Sequence, residues 1–215
     1  MELKVTKINK SIRKKPILSE ISLSLKSGNI YGFVGKNGSG KTMLFRALSG
    51  LMSIDSGTIT WGNKLLHHDF SVLPSLGITL ENAGLYPNLT SFDNLKYLAG
   101  LNKRIGHEEI REAIIRVGLD PDDRRVYGKF SLGMKQRLAI AQAIMEKPDV
   151  IMLDEPTNSL DEEGVHEIRK IIMEEKERGA LILLASHNNE DMHILADQLF
   201  KIEAGKVFPR EEPLW

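Results

Sequence analysis

"GKNGSGKT", residues 35–42, decides the reading of this chain. It fits G-x-x-x-x-G-K-[ST] at every fixed position. Gly35, Gly38 and Gly40 allow backbone conformations closed to other residues, so the amides of Gly35, Lys36, Asn37, Gly38, Ser39 and Gly40 can turn inward on phosphate oxygens. A helix opening near Lys41 adds the positive end of its dipole. Lys41 brings a mobile ammonium to the outer phosphates of a nucleotide, and the Thr42 hydroxyl can hold Mg²⁺. The bland alternative is a glycine turn without a ligand. Against it stands the context, because "IYGFVG" before the loop reads as a strand and "TMLFRALSG" after it reads as a helix ended by Gly50.

Working outward, the first third of the chain alternates in strand fashion in "LKVTKI", "ILSEISLSL" and "GTITWG". The basic run at residues 13–15 reads as a solvated turn, with phosphate or lipid contact as the rival reading. From Thr90 the pattern turns helical. "TSFD" offers a capping box, "HEEIREAIIRVGL" sets Ile110, Ile114 and Val117 on one face, and "SLGMKQRLAIAQAIM" runs to Lys147-Pro148. "DVIMLDEP" and "ALILLASH" are short continuous apolar runs, the mark of strands buried on both faces. The helix between them carries Val165, Ile168 and Ile172 as a stripe, and this β-α-β order predicts a parallel sheet. "QLFKIEAGKVF" predicts a hairpin about Ala204 and Gly205.

A second constellation lies at the ends of those strands. Asp154, after "VIML", is the acid type that binds Mg²⁺ beside a phosphate loop, and the next residue, Glu155, is free to orient or deprotonate a water. Side chains at adjacent strand positions point opposite ways, so the two cannot share one metal without a bend. His187 ends another strand on the same expected edge and can donate to a γ-phosphate. Glu81, in "GITLENAGLYPNLT", also ends a short apolar run, where parallel sheets bind ligands. Locally it reads equally well as a solvated loop acid.

Composition narrows the partners. Basic and acidic residues number 29 each, so no net field favours nucleic acid or an anionic membrane. Cysteine is absent, which removes disulfides and thiolate chemistry. "MELKVTKINK" lacks a signal peptide's apolar core, and no apolar run approaches the roughly 20 residues of a membrane span.

Taken together, these motifs resemble the ATP-binding subunit of ABC transporters along nearly the whole chain. "GKNGSGKT" is similar to that family's Walker A loop, "VIMLDEP" to its Walker B strand with the following glutamate, "NSLD" to its D-loop and "ASH" to its switch histidine. "FSLGMKQRL" sits at its signature and "ITLENAGLYPNLT" at its Q-loop. The resemblance implies a single α/β phosphate-loop NTPase domain. It has a RecA-like parallel core with an N-terminal antiparallel β subdomain (1–88 and 147–215) and an inserted helical subdomain (89–146). It further implies a head-to-tail dimer, with itself or a paralogue, in which Ser131 and Gly133 complete the partner chain's ATP site and Asp161 belongs to the D-loop. Ser131 and Asp161 equally suit helix N-caps. By the same resemblance, Glu81 takes the place of a glutamine that contacts Mg²⁺ or its water.

Three departures accompany this resemblance. Leu132 and Met134 replace the signature's glycine and glutamine, the aromatic that stacks on adenine is absent near Ile12, and an acid replaces the Q-loop amide. "LENAGLYPNLTSFDNL" with "SLGMKQRLAIAQAIM" looks most like the separate ATPases of bacitracin-type and lantibiotic-immunity exporters. The expected function is ATP hydrolysis on the cytoplasmic face of the membrane, driving export through a separate permease without nucleic acid. The rivals are a soluble ABC-type ATPase acting on nucleic acid or ribosomes and a regulatory ATPase with weak or no turnover.

Overall fold

The computed structural model describes residues 1–80 and 84–210. The chain begins with β1 (Glu2–Ile12), β2 (Lys15–Lys26), β3 (Ile30–Val34), α1 (Lys41–Ser49), β4 (Ser56–Trp61), β5 (Lys64–Leu65) and β6 (Leu76–Thr79). Helices α2 (Ser91–Asn102), α3 (His107–Arg116) and α4 (Leu132–Ile144) follow. The remainder is β7 (Val150–Asp154), α5 (Glu162–Glu177), β8 (Leu181–Ala185), α6 (Asn189–Leu195), β9 (Gln198–Glu203) and β10 (Lys206–Arg210).

Alternation in the first third becomes an antiparallel sheet of order β2-β1-β4-β5. Leu3, Val5, Leu23, Leu25 and Ile59 turn inward from it. The basic run forms the hairpin tip between β1 and β2, with Arg13 and Lys14 at φ 50° and 65°, the paired left-handed conformation a two-residue hairpin loop needs.

A second sheet, of order β10-β9-β3-β8-β7-β6, is parallel from β9 to β6, with β10 antiparallel on its edge. Its apolar runs are buried on both faces. Val150, Met152, Leu181 and Leu183 pack with α1 and the antiparallel sheet, whereas Ile151, Leu153, Ile182 and Leu184 pack toward the remaining helices. Phe33 anchors the first layer, stacked on Phe200 at 5.3 Å and edge-on to Phe45 at 5.7 Å. Each such pair adds about 0.5–1.5 kcal/mol beyond burial.

Between β6 and β7 the chain is helical. Ile110, Ile114 and Val117 are buried as their spacing predicts. At the start of α2, Thr90 accepts from the Asp93 N–H, and its hydroxyl donates to the Asp93 carboxylate at 2.7 Å. On α5 the stripe shifts slightly: Ile168 and Ile172 are buried with Ile171, and Val165 is half-buried. The short helix α6, not foreseen from the periodicity, is capped by Asn188. Among the described residues no helix is long and apolar enough to cross a membrane.

Candidate functional site

Register aligns the carboxyl ends of the central strands. Ala185 on β8 pairs with Phe33 on β3 and with Asp154 on β7. The loops that leave these strands therefore open on one edge, where parallel sheets bind ligands.

On β3 that loop is residues 35–42. Gly38 and Gly40 adopt φ 78° and 112°, the left-handed region that L side chains avoid. Gly35 does not, which corrects the expectation for it. Its reason is space, because a Cβ there would stand 2.5 Å from the Ile202 carbonyl oxygen and 2.6 Å from Ser39 Oγ. The Lys41 ammonium donates to the Gly35 carbonyl at 2.7 Å, so it is folded back onto its own loop. Helix α1 starts at Lys41, presenting its amino end to the cavity.

Thr42 and Asp154, 112 positions apart, meet where the hydroxyl donates to Asp154 Oδ2 at 2.6 Å. This pair of hard oxygen donors fits Mg²⁺, which takes one or two protein oxygens and completes its shell with phosphate and water. Among the described residues no cluster of three or more His, Asp or Glu side chains is placed to hold a metal alone.

Glu155 departs from the strand rule used to read it. β7 ends at Asp154, and Glu155 takes φ 52° while its N–H donates to the Ala185 carbonyl at 2.7 Å. The bend, not strand alternation, separates the two acids. It carries the Glu155 carboxylate to the loop after β8, where it accepts from Ser186 Oγ at 3.1 Å and from the His187 N–H at 3.1 Å. His187 Nδ1 lies 2.8 Å from Glu155 Oε2.

These side chains border a cavity of about 730 Å³ whose lining includes Asn37, Gly38, Gly40, Lys41, Thr42, Asp154, Glu155 and His187. The size suits a nucleotide. Gly35, Lys36 and Ser39 belong to the same loop without lining it. Ile12 is 40% exposed at the hairpin end, and the aliphatic wall comes instead from Ile17 with Met43. Arg46, Thr79, Leu80, Gln136, Ala139 and Asn158 add to the lining beyond the sequence reading. Arg46 was within reach of it, one helical turn after Thr42 on the same face. Gln136 donates to the Glu155 and Pro156 carbonyls at 3.1 Å each, a contact no local pattern announces.

Of the signature segment only Gln136 lines this cavity, while Ser131, Leu132 and Gly133 do not. Ser131 caps α4 by accepting from the Met134 N–H at 3.2 Å, and Leu132 beside it is 70% exposed. Gly133 lies against the loop before α5, since a Cβ there would stand 2.9 Å from the Ser159 carbonyl. Asp161 caps α5 through the Gly164 N–H at 3.0 Å. Glu81, expected to reach the metal, lies outside the described residues.

A phosphate loop after β3, an acid pair after β7 and a histidine after β8, all on neighbouring parallel strands, define a phosphate-loop nucleotide-binding cassette. The family described as ABC transporter matches residues 18–158, and the chain belongs to that family as one of its ATP-binding proteins. It is 45% identical over 213 residues to the uncharacterized ABC transporter ATP-binding protein YybJ of Bacillus subtilis, covering 99% of this chain and 98% of that one. It is 36% identical to the lantibiotic transport ATP-binding protein SrtF of Streptococcus pyogenes, over 98% and 90% of the two chains. With the bacitracin transport ATP-binding protein BcrA of Bacillus licheniformis it shares 38% identity over 95% of this chain and 68% of the relative. The fold matches that of the dimeric structure of MJ0796, a bacterial ABC transporter cassette, with a TM-score of 0.87, 21% identity and 99% of both chains covered.

Proposed function

We propose that this chain hydrolyses ATP on the cytoplasmic face of the membrane and powers export of an antimicrobial peptide or drug through a separate membrane subunit. One observation carries the reading: Lys41, the Thr42–Asp154 pair and the Glu155–His187 pair converge on a single cavity. In this reading Lys41 leaves the Gly35 carbonyl for the outer phosphates, and the amides of residues 35–40 hold their oxygens. Thr42 and Asp154 would hold Mg²⁺, and Glu81 would add a contact to the metal or its water. Bound Mg²⁺ supplies neutralisation of charge on the β- and γ-phosphate oxygens. Glu155 orients the attacking water and takes its proton, and His187 contacts the γ-phosphate.

Ser131 and Gly133 stand outside their own chain's cavity, which supports a role in the site of a second copy or a paralogue docked head to tail, with Asp161 beside that interface. The printed names of SrtF and BcrA support the export reading. The proposed lobes are 1–88 with 147–215 and the helical 89–146.

A route to the membrane subunit follows from Asn94, which is fully buried. Its Oδ1 accepts from the Tyr86 N–H at 2.7 Å, and its Nδ2 lies 2.9–3.3 Å from the carbonyls of Tyr86, Leu89 and Thr90. The loop after the Q-loop position therefore moves with α2. Backbone bonds from Tyr127 to Leu89 and from Gly128 to Pro87, each 2.8 Å, tie it to the segment leading into Ser131. Tyr86 and Tyr97, both about half exposed with ring centroids 5.0 Å apart, offer a contact surface there.

The exposed Leu132, standing where the family has glycine, favours a second reading in which nucleotide binds with weak turnover. Phosphate release by the purified chain in Mg²⁺ or EDTA, alone and reconstituted with its membrane subunit, separates the two. Mg²⁺-dependent release that is stimulated by the membrane subunit is expected. Nucleotide binding without release in either state overturns the hydrolytic reading.

A further inference from the structure

Asp191 is fully buried and takes no part in the mechanism above. It sits on α6, and its carboxylate has partners on two other parts of the chain. Oδ1 accepts from Arg169 Nε of α5 at 2.8 Å and lies 2.7 Å from Arg169 Nη2, while Oδ2 accepts from the Thr157 hydroxyl. Thr157, itself 7% exposed, lies two residues beyond Glu155.

The consequence is geometric. Two loops carry the reacting groups, one after β7 with Glu155 and one after β8 with His187. At the front they touch through the Glu155 carboxylate, which accepts from Ser186 and His187. At the back they are joined again, because α6 continues the second loop and Asp191 grips Thr157 of the first. Asn188 stiffens the short span between, donating its N–H to Ser186 Oγ at 3.0 Å and capping α6 with its side chain.

A rear tie of this kind answers a need. Glu155 holds φ 52°, a left-handed conformation that strains a non-glycine residue and persists only where its surroundings over-determine it. Gln136 grips the Glu155 carbonyl from α4, and the Thr157–Asp191 bond holds the following turn from α6. Without the rear tie, the front contact, the Glu155–Ala185 bond and Gln136 would remain, and Glu155 and His187 could shift against one another.

We propose that Asp191, through Thr157, is a positioning residue that sets the placement of Glu155 against His187, and so governs turnover without governing nucleotide affinity. This rests on the hydrolytic reading above. Arg169 remains against α6 whatever becomes of Thr157, so the two halves of the contact can be tested apart.

The experiment uses the full chain and its membrane subunit. Thr157→Val removes the hydroxyl while keeping shape and the Asp191–Arg169 pair. A fluorescent ATP analogue measures affinity, phosphate release measures kcat and KM, and the imidazole ¹⁵N signals of His187 report its setting. Affinity and KM are expected within about twofold of wild type, with kcat down about tenfold or more, as a misplaced catalytic group predicts. The His187 signals should move, and Thr157→Ser should restore both kcat and signals. Asp191→Asn should act in the same direction, and if it fails to fold, Thr157→Val still decides. A Thr157→Val chain with wild-type kcat, or with unmoved His187 signals, overturns the proposal. Should the wild-type chain show no turnover at all, the hydrolytic reading falls, and the His187 signals still decide whether Thr157 and Asp191 position that residue.

Discussion

His187 Nδ1 lies 2.8 Å from Glu155 Oε2, across a bond between two loops 32 positions apart in the chain. The same carboxylate accepts from the His187 N–H and from Ser186 Oγ. The Glu155 carboxylate is thus held by two donors from one short segment, with His187 Nδ1 in contact beside them.

Glu155→Gln keeps the side chain's shape and one acceptor oxygen but removes the carboxylate that, in the proposed hydrolysis, would take a proton. Turnover should fall by about 10²–10⁴-fold, while ATP affinity stays near wild type and ATP-driven dimers accumulate. Phosphate release and size-exclusion chromatography with ATP measure both. Wild-type turnover would remove Glu155 from its role.

Leu132→Gly removes a side chain that is 70% exposed. Little burial is lost, so the stability change should stay within about 1 kcal/mol, the cost of glycine in a helix. Because Leu132 stands at the helix start that would face a second chain's phosphates, the variant should dimerise at lower ATP concentration. Dimerisation unchanged or weakened would show that Leu132 does not obstruct that interface.

Gly77 on β6 packs against α4 so closely that a Cβ would stand 1.8 Å from the Ala143 carbonyl oxygen. Gly77→Ala should destabilise the fold by about 3 kcal/mol, a fall in Tm of roughly 6–12 °C for a chain of this length. Thermal unfolding by circular dichroism tests it. A Tm within a degree of wild type would mean that β6 and α4 do not pack this tightly.

Asn94→Ala removes the side chain that joins the loop at residues 86–90 to α2. Leaving its backbone partners unpaired should cost about 1–3 kcal/mol. ATPase activity of the isolated chain should persist while stimulation by the membrane subunit is lost. Undiminished stimulation would place the route to the membrane elsewhere.

The sequence by itself determined most of the strands and helices, α6 excepted, and which residues could form a site. Hydrophobic period and glycine spacing are local properties, and they led to the phosphate loop, to Asp154 and to His187, each at the end of a strand. Only the tertiary structure decided how those residues meet. Thr42 reaches Asp154 because β8 brings β3 and β7 to the same level. Glu155 faces His187 because its backbone leaves the strand at φ 52°, a bend that depends on grips from Gln136 and on the Thr157–Asp191 tie. Ile17 lines the cavity in place of Ile12, and Gly35 answers to the nearby Ile202 carbonyl rather than to φ. Each of these depends on what packs against a residue from a distant part of the chain, and the spacing of residue types along the sequence does not encode it.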